Sequence, residues 1–366
     1  MSPRAFRVEG GRLVDPNGNP FLTLGVNHAD ETNLKYPRNV DVWRSRYGSR
    51  ASWIRDGVVA DLRSWGFNTL GWTQEYVSGG WGEALDWFGD PIDLGHSTPW
   101  PAADLRSAGL PYVAQLRVQE IEDWNGYPAF RPMGGDFEVW CDYLARSVAG
   151  EHADSADLLG YFLVDIPAWL PHASGADFPE LQGLDPVERE KKLYDVASRY
   201  YETIVTAIRR YDPDHLVLGD RYNGNKGIPA PVLRAMAPFV DVLSVQYFSD
   251  PTAEGRTRMR DDLANWSAQA GGKPVIIADI GNWTPTELNP HRDGLPSQAA
   301  RGEDYGATLD AVRDEPWFAG WHWCAYLENS GRGWGLKDPR DEPYPDLTDP
   351  ITDHNRRAVA AYGVSQ

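Results

Sequence analysis

The sequence predicts an α/β protein: a closed (β/α)8 TIM barrel preceded by a β-hairpin, with long loops after its strands. Three observations predict it. Short apolar runs alternate eight times with longer amphipathic segments. Most of these runs are apolar on both faces, as parallel strands covered by helices are. The segments that follow the runs are long and those that precede them short, the loop asymmetry of a barrel whose site lies at the C-terminal ends of its strands. Eight units are what closure requires. An open doubly wound sheet is the competing arrangement, but no G-x-G-x-x-G follows the first strand to support its dinucleotide-binding form.

In chain order, FRVEGGRLVDPNGNPF (6–21) reads as two short strands joined through a Pro-Asn-Gly turn, a hairpin that would close the bottom of the barrel. The strand candidates are FLTLGVN (21–27), FNTLGW (67–72), PYVAQLRV (111–118), LLGYFLVD (158–165), HLVLGD (215–220), VDVLSVQY (240–247), PVIIAD (274–279) and AGWHWCAY (319–326). Helical segments lie at 51–65, 136–150, 188–211, 258–270, 299–312 and 352–362. The first spaces Ile54, Val58, Val59 and Leu62 at helical intervals. No repeat, low-complexity stretch or Pro/Ser linker divides the chain, so residues 1–366 read as a single domain, a length that suits one barrel.

Composition narrows the function classes. Net charge is −18, from 35 basic and 53 acidic residues, without basic runs; this argues against nucleic acid or an anionic membrane as partner. No apolar run approaches the ~18 residues of a membrane span. The N-terminus shows no apolar signal region, from which a cytoplasmic protein is expected. Cys141 and Cys324 read as buried free thiols, and no metal-ligand spacing is present, so neither metal nor cofactor is expected. Sixteen Trp and seventeen Tyr are many for this length. Several fall in the long segments 73–100, 119–135, 166–184, 280–296 and 327–350: Trp81, Trp87, Trp124, Trp169, Trp283 and Trp334. Loops longer than ~12–15 residues are usually functional or disordered, and aromatic loops are the less disordered kind. Flat side chains with a polar handle suit sugar faces and protein interfaces alike.

Strand ends of such a barrel aim at a common point. This sequence places there Asn27 and His28, Trp72 and Gln74, Gln115 and Arg117, Asp165, Asp220 and Arg221, Gln246 and Tyr247, Asp279, then His322, Tyr326 and Glu328. There is no nucleophile elbow, no Cys–His signal and no H-E-x-x-H. Carboxylate chemistry remains. Glycosidic cleavage needs one carboxylic acid for the leaving oxygen and one carboxylate as nucleophile or base. Asp165 in GYFLVDIPAW (160–169) and Asp279 in PVIIADIGNW (274–283) end the fourth and seventh strands, which face each other across a barrel. The bland alternatives are a strand-end Asp capping loop amides, structural histidines, arginines paired with nearby acids such as Asp220, and Glu328 as a loop tether.

GVNH, WGFNTLGWT, GYF followed by W, KPVIIADIG and GWHWCAY with GWGLKD resemble the agarase-like TIM-barrel members of clan A glycoside hydrolases. The pattern spans nearly the whole chain, while its specific motifs cover about a tenth of it. The resemblance implies retaining hydrolysis, with a general acid after strand four and a nucleophile after strand seven. Residue by residue, the nucleophile position falls on Asp279, where the family has Glu. The family's Asn-Glu pair falls on Asp165 and Ile166; a shift of one residue would make Asp165 the acid. The expected activity is therefore an exo-acting glycosidase on a small oligosaccharide or glycoside, with Asp165 as acid/base and Asp279 as nucleophile or base. Trp169 and Trp283 would be stacking platforms. Asn27, His28, Trp72, Gln115, Arg117, Asp220, Arg221, Gln246, Tyr247, His322 and Glu328 would contact substrate. The alternative is a barrel that binds carbohydrate without cleaving it, for which Ile166 at the acid position speaks.

Overall fold

The computed structural model describes residues 5–75, 92–93, 96–118, 131–170, 177–330 and 332–364. It opens with a hairpin of β1 (Arg7–Glu9) and β2 (Arg12–Val14). Its turn is Gly10-Gly11, with φ of 57° and 79°, the two positive values that a tight two-residue hairpin loop needs. The Pro16-Asn17-Gly18 turn expected to join the strands instead follows β2, where Asp15 Oδ1 accepts from the backbone of Asn17 and Asn19.

Eight parallel strands close the barrel: β3 (Thr23–Val26), β4 (Thr69–Leu70), β7 (Tyr112–Gln115), β8 (Leu158–Asp165), β9 (Leu216–Asn223), β10 (Leu243–Gln246), β11 (Val275–Ile280) and β12 (Phe318–Trp323), with β12 pairing back onto β3. A small antiparallel pair, β5 (Ile92–Asp93) and β6 (His96–Ser97), lies in the segment after β4. Each of the eight predicted strands overlaps one of these. Side chains alternate across a strand, so each strand feeds two cores. One lies inside the barrel, with Val113, Leu159, Phe162, Leu218, Ile276 and Ala319, and the hairpin closes it from below with Phe6 and Leu13. The other lies between the strands and the helices.

The outer layer forms where helical periodicity and caps agree. Pro186–Tyr211 starts at Asp185, whose carboxylate accepts from Val187 N and Glu188 N, and Pro186 occupies the first helical turn. It buries Val196, Tyr200, Tyr201, Ile204 and Ile208 at helical spacing. Ala253–Gln269 and Gln298–Val312 start in the same way at Thr252 and Ser297. Two helices carry too few turns to show a period in the sequence, Ala102–Ala108 and Ala230–Met236. No described helix is long and apolar enough to cross a membrane. Cys141 and Cys324 are free and buried, as expected.

The upper ends of the strands are irregular where the site lies. The β8–β9 register shifts between Phe162 and Asp165, the β10–β11 register between Val245 and Gln246, and the β11–β12 register between Ile277 and Ile280. Such bulges re-aim side chains. His28, Arg117 and Ile166, each just beyond a strand, hold φ of 56°, 61° and 47°. For β-branched Ile166 that backbone is costly, and strain of this kind gathers at functional sites.

Candidate active site

The two aspartates meet over a single buried cation. Arg221, on β9, is fully buried. Its Nη1 donates to Asp165 Oδ1 at 2.7 Å, and its Nη2 lies 3.6 Å from Asp279 Oδ2 while donating to Ala278 O at 3.1 Å. Gln246, at the end of β10, donates to the same Asp165 oxygen at 2.5 Å. Asn27, just after β3, donates to Asp279 Oδ1 at 2.9 Å. His28 Nδ1 lies 2.6 Å from Gln74 O; a carbonyl only accepts, so Nδ1 carries the proton and Nε2 faces Asp279 Oδ2 at 3.9 Å.

This arrangement sets the charges. Burial alone would raise the Asp279 carboxyl, but His28, the Arg221 charge and the Asn27 amide outweigh it and hold it below the ordinary carboxylate value. Burial works against a charged His28; the nearby Glu75 and Asp279 outweigh it and raise its pKa. Arg221 and Gln246 both donate to the one oxygen of Asp165. The resting site thus pairs two carboxylates with one fully buried guanidinium.

Above them is a pocket of about 320 Å³, lined by His28, Trp72, Asp165, Ile166, Gln246, Phe248, Asp279, Trp283, Arg292, Arg332 and Trp334. Its size is at the lower end of small-molecule sites. Ile166 turns an apolar side of the site toward it. His28, Asp279 and Cys324 also bring one ligand atom each within 4.8 Å of one another, a grouping that residues so far apart in sequence could not announce. Arg221 beside Asp279 opposes a cation there.

No known family profile matches the chain. Beta-agarase A of Vibrio sp. (strain JT0107) is 24% identical over 378 residues, covering 85% of this chain and 36% of that protein. Beta-agarase B of the same strain is 26% identical over 175 residues, 44% of this chain and 17% of its own. The chain thus spans about a third or less of the length of these relatives. Among solved structures, the agarase AgWH50C superposes with a TM-score of 0.72 at 19% identity, over 99% of this chain and 64% of that one. An exo-beta-agarase gives 0.73 at 17% identity, over 100% and 66%. The chain resembles these beta-agarases in sequence, and agarase structures in fold.

The agarase-like barrel brings Asn27, His28, Trp72, Asp165, Arg221, Gln246, Asp279 and Trp283 together. Other predicted residues lie elsewhere, mostly because strand alternation lets only one of two neighbours face inward. Beside Arg221, Asp220 points outward and accepts from Trp169 Nε1, Tyr200 OH and Tyr201 OH at 2.9, 2.9 and 2.6 Å; burial pushes its pKa up to about 6. That contact holds Trp169 in the wall against Phe178, Tyr200 and Tyr201, away from the pocket lining. Beside Gln246, Tyr247 points outward and donates to Asp262 at 2.7 Å. Gln115 and Arg117 line a neighbouring cavity of about 190 Å³ with Trp72 and Gln74. His322 lies deeper, 3.1 Å from Thr23 Oγ1, and burial drives its pKa down to about 3. Glu328 tethers its loop, accepting from Gly333 N, Gly335 N and Asn289 Nδ2. Trp81, Trp87 and Trp124 lie outside the described residues.

Five residues near the pocket escaped the sequence reading as site residues: Glu75, Phe248, Arg292, Arg332 and, beyond its place among loop aromatics, Trp334. Arg332 donates to buried Glu75 at 2.8 Å. Arg292 and Arg332 come from the interiors of the loops after β11 and β12, which the rule of strand ends does not reach. A signal was present: GRGWGLKD puts a guanidinium and an indole side by side in a loop.

Proposed function

We propose that this barrel cleaves a glycosidic bond in a small oligosaccharide or glycoside, acting at a chain end. Asp279 serves as nucleophile or base and Asp165 as acid/base. The observation that carries the reading is the single guanidinium of Arg221 in reach of both carboxylates at the floor of an aromatic-walled pocket. Two carboxylates flanking one bond are the common requirement of retaining and inverting hydrolysis. The agarase relatives support this chemistry, and the small pocket volume supports action on a terminal unit. The family's usual substrate is not carried over, because both acidic positions depart from its pattern.

A second reading keeps the sugar and drops the reaction. Ile166 stands where the resemblance expects the acid, and one oxygen of Asp165 is already held by two donors. The test is Asp165→Asn and Asp279→Asn, assayed on aryl glycosides with good and poor leaving groups and on oligosaccharides. Hydrolysis predicts a loss of roughly 10³-fold or more for Asp279→Asn with the fold intact. For Asp165→Asn the loss should be large with poor leaving groups and small with good ones. A wild-type protein that binds sugars yet cleaves nothing on the panel would leave the binding reading in place.

A further inference from the structure

We infer that the pocket takes an acidic sugar, one bearing a carboxylate or sulfate, and that Arg292 with Arg332 receives the anionic group. The inference rests on the glycoside reading only for the word sugar; the anion site follows from the arginines themselves.

Both guanidiniums line the pocket that holds Asp165 and Asp279. Arg292 lies 4.7 Å over the ring of Trp283, and Arg332 lies 4.5 Å over the ring of Trp334. Phe248 stands between the two indoles, 6.1 Å from each. The pocket wall is therefore an aromatic row with a cation at either end. Stacking fixes the plane of a guanidinium but leaves its in-plane N–H groups to bind.

The two arginines differ in their partners. Arg332 already has a carboxylate, Glu75. Arg292 makes no side-chain hydrogen bond and no ion pair with the described residues. The chain carries 53 acidic residues against 35 basic, so partners are abundant, and nearly every other pocket charge has one. Burial disfavours a charged Arg292, and the positive charge of Arg332 adds to that. An arriving anion offsets the like charge that Arg332 imposes on Arg292.

The scaffold holds this geometry in advance. Arg301, fully buried, donates to Trp334 O and Gly335 O at 2.6 and 2.8 Å. Asn289 joins the two arginine-bearing loops by donating to Glu328 Oε1 at 2.6 Å and Asn329 O at 2.9 Å. Thr284 N donates to Gly333 O at 3.1 Å, a further link between the same loops. A site whose donors are fixed before the ligand arrives loses less on binding. A neutral sugar needs no such pair of cations opposite its hydrolytic carboxylates.

The test is calorimetric binding at pH 7 and low salt, with free sugars that need no turnover. Glucuronate is compared with glucose, and galacturonate and galactose 6-sulfate with galactose. We expect at least one acid to bind tenfold or more tightly than its neutral parent and to weaken as salt is added. In Arg292→Gln that preference should fall by roughly 10- to 100-fold, the range of a lost charge-assisted hydrogen bond. Near-ultraviolet circular dichroism confirms that the variant is folded. Carboxylate and sulfate arms identify which anion fits. Equal affinity for acid and parent, an unchanged preference in Arg292→Gln, or no binding of any acid overturns the inference. Turnover is scored separately on aryl uronides and aryl glycosides. Acid-selective binding without cleavage removes the hydrolase reading and leaves this one standing; cleavage of neutral glycosides without acid preference does the reverse.

Discussion

Removing Arg221 should expose how much of the site is held by one charge. In Arg221→Met a fully buried guanidinium is replaced by an apolar side chain of similar reach. Its contacts at 2.7 Å to Asp165 and 3.1 Å to Ala278 O are lost, with the charge 3.6 Å from Asp279 and the stacking 4.9 Å over Trp72. Two buried carboxylates are then left without the guanidinium that reaches them both. Breaking a buried ion pair from one side costs about 3–5 kcal/mol, most of it the stranded charge. The pH dependence follows with a definite sign. In the wild type the Asp279 carboxyl is depressed, so its contribution is present above the unfolded value near ~3.9 and is lost as pH falls through the folded value. In the variant the carboxylates lose their cation, so the site prefers a proton; that stability is present at low pH and lost as pH rises. The difference between the two proteins should be widest at pH 7 and narrow toward pH 4.

Urea unfolding at both pH values measures this, and Asp165→Asn supplies the control. With one charge removed, Arg221→Met should cost less in the Asp165→Asn background than in the wild type, by about 1–3 kcal/mol for groups in direct contact. If Arg221→Met alone does not accumulate, the same coupling is read as recovery of soluble protein in the double variant. Additive single effects, or a pH-independent difference, would refute the claim that Arg221 acts as the shared counter-charge.

Other consequences are as direct. Gly320 holds φ +135°, and a Cβ there would meet Thr23 O at 1.9 Å across the β12–β3 seam; Gly320→Ala should cost about 3 kcal/mol or more, against about 1 kcal/mol for Gly10→Ala, where φ is +57° but nothing is near. Burial and the Glu31 charge push buried Asp30 up to about 7, so its contribution is full at low pH and is lost as pH rises through that value. Asp30→Asn should therefore gain stability relative to wild type between pH 4.5 and 8, read as the difference in Tm, which cancels the opposite drift from His322. Trp169→Phe removes a donor from buried Asp220 and should cost about 1–3 kcal/mol while leaving KM for any substrate unchanged; a raised KM would return Trp169 to the pocket.

The barrel was legible because its signal is repeated. Eight apolar runs, each followed by a long segment, leave few alternatives, and the strand bearing Asp165 was read over its full length, Leu158–Asp165. Asp165 and Asp279 were legible for the same reason: a strand end in a closed barrel is a fixed address. The limits were physical too. Alternation lets Arg221 in and turns Asp220 out, and Gln246 in and Tyr247 out, but bulges near these ends hide the phase from the sequence. Arg292 and Arg332 depend on how two loops cross-link through Asn289, Thr284 and Glu328, contacts between positions tens of residues apart. The Pro-Asn-Gly turn misled because a strong turn signal stood one strand too late, after a Gly-Gly pair that already supplied the reversal.

The shared arginine also bears on how a proton could reach the leaving oxygen without a glutamate at position 166. Arg221 reaches both Asp165 and Asp279. In the proposed hydrolysis, with the proton on Asp165, Asp279 would attack the anomeric carbon, the glycosidic bond would break, and the leaving oxygen would take that proton, so the negative charge would pass from Asp279 to Asp165. Arg221, 2.7 Å from one carboxyl and 3.6 Å from the other, can stabilise the charge at either end without leaving its place.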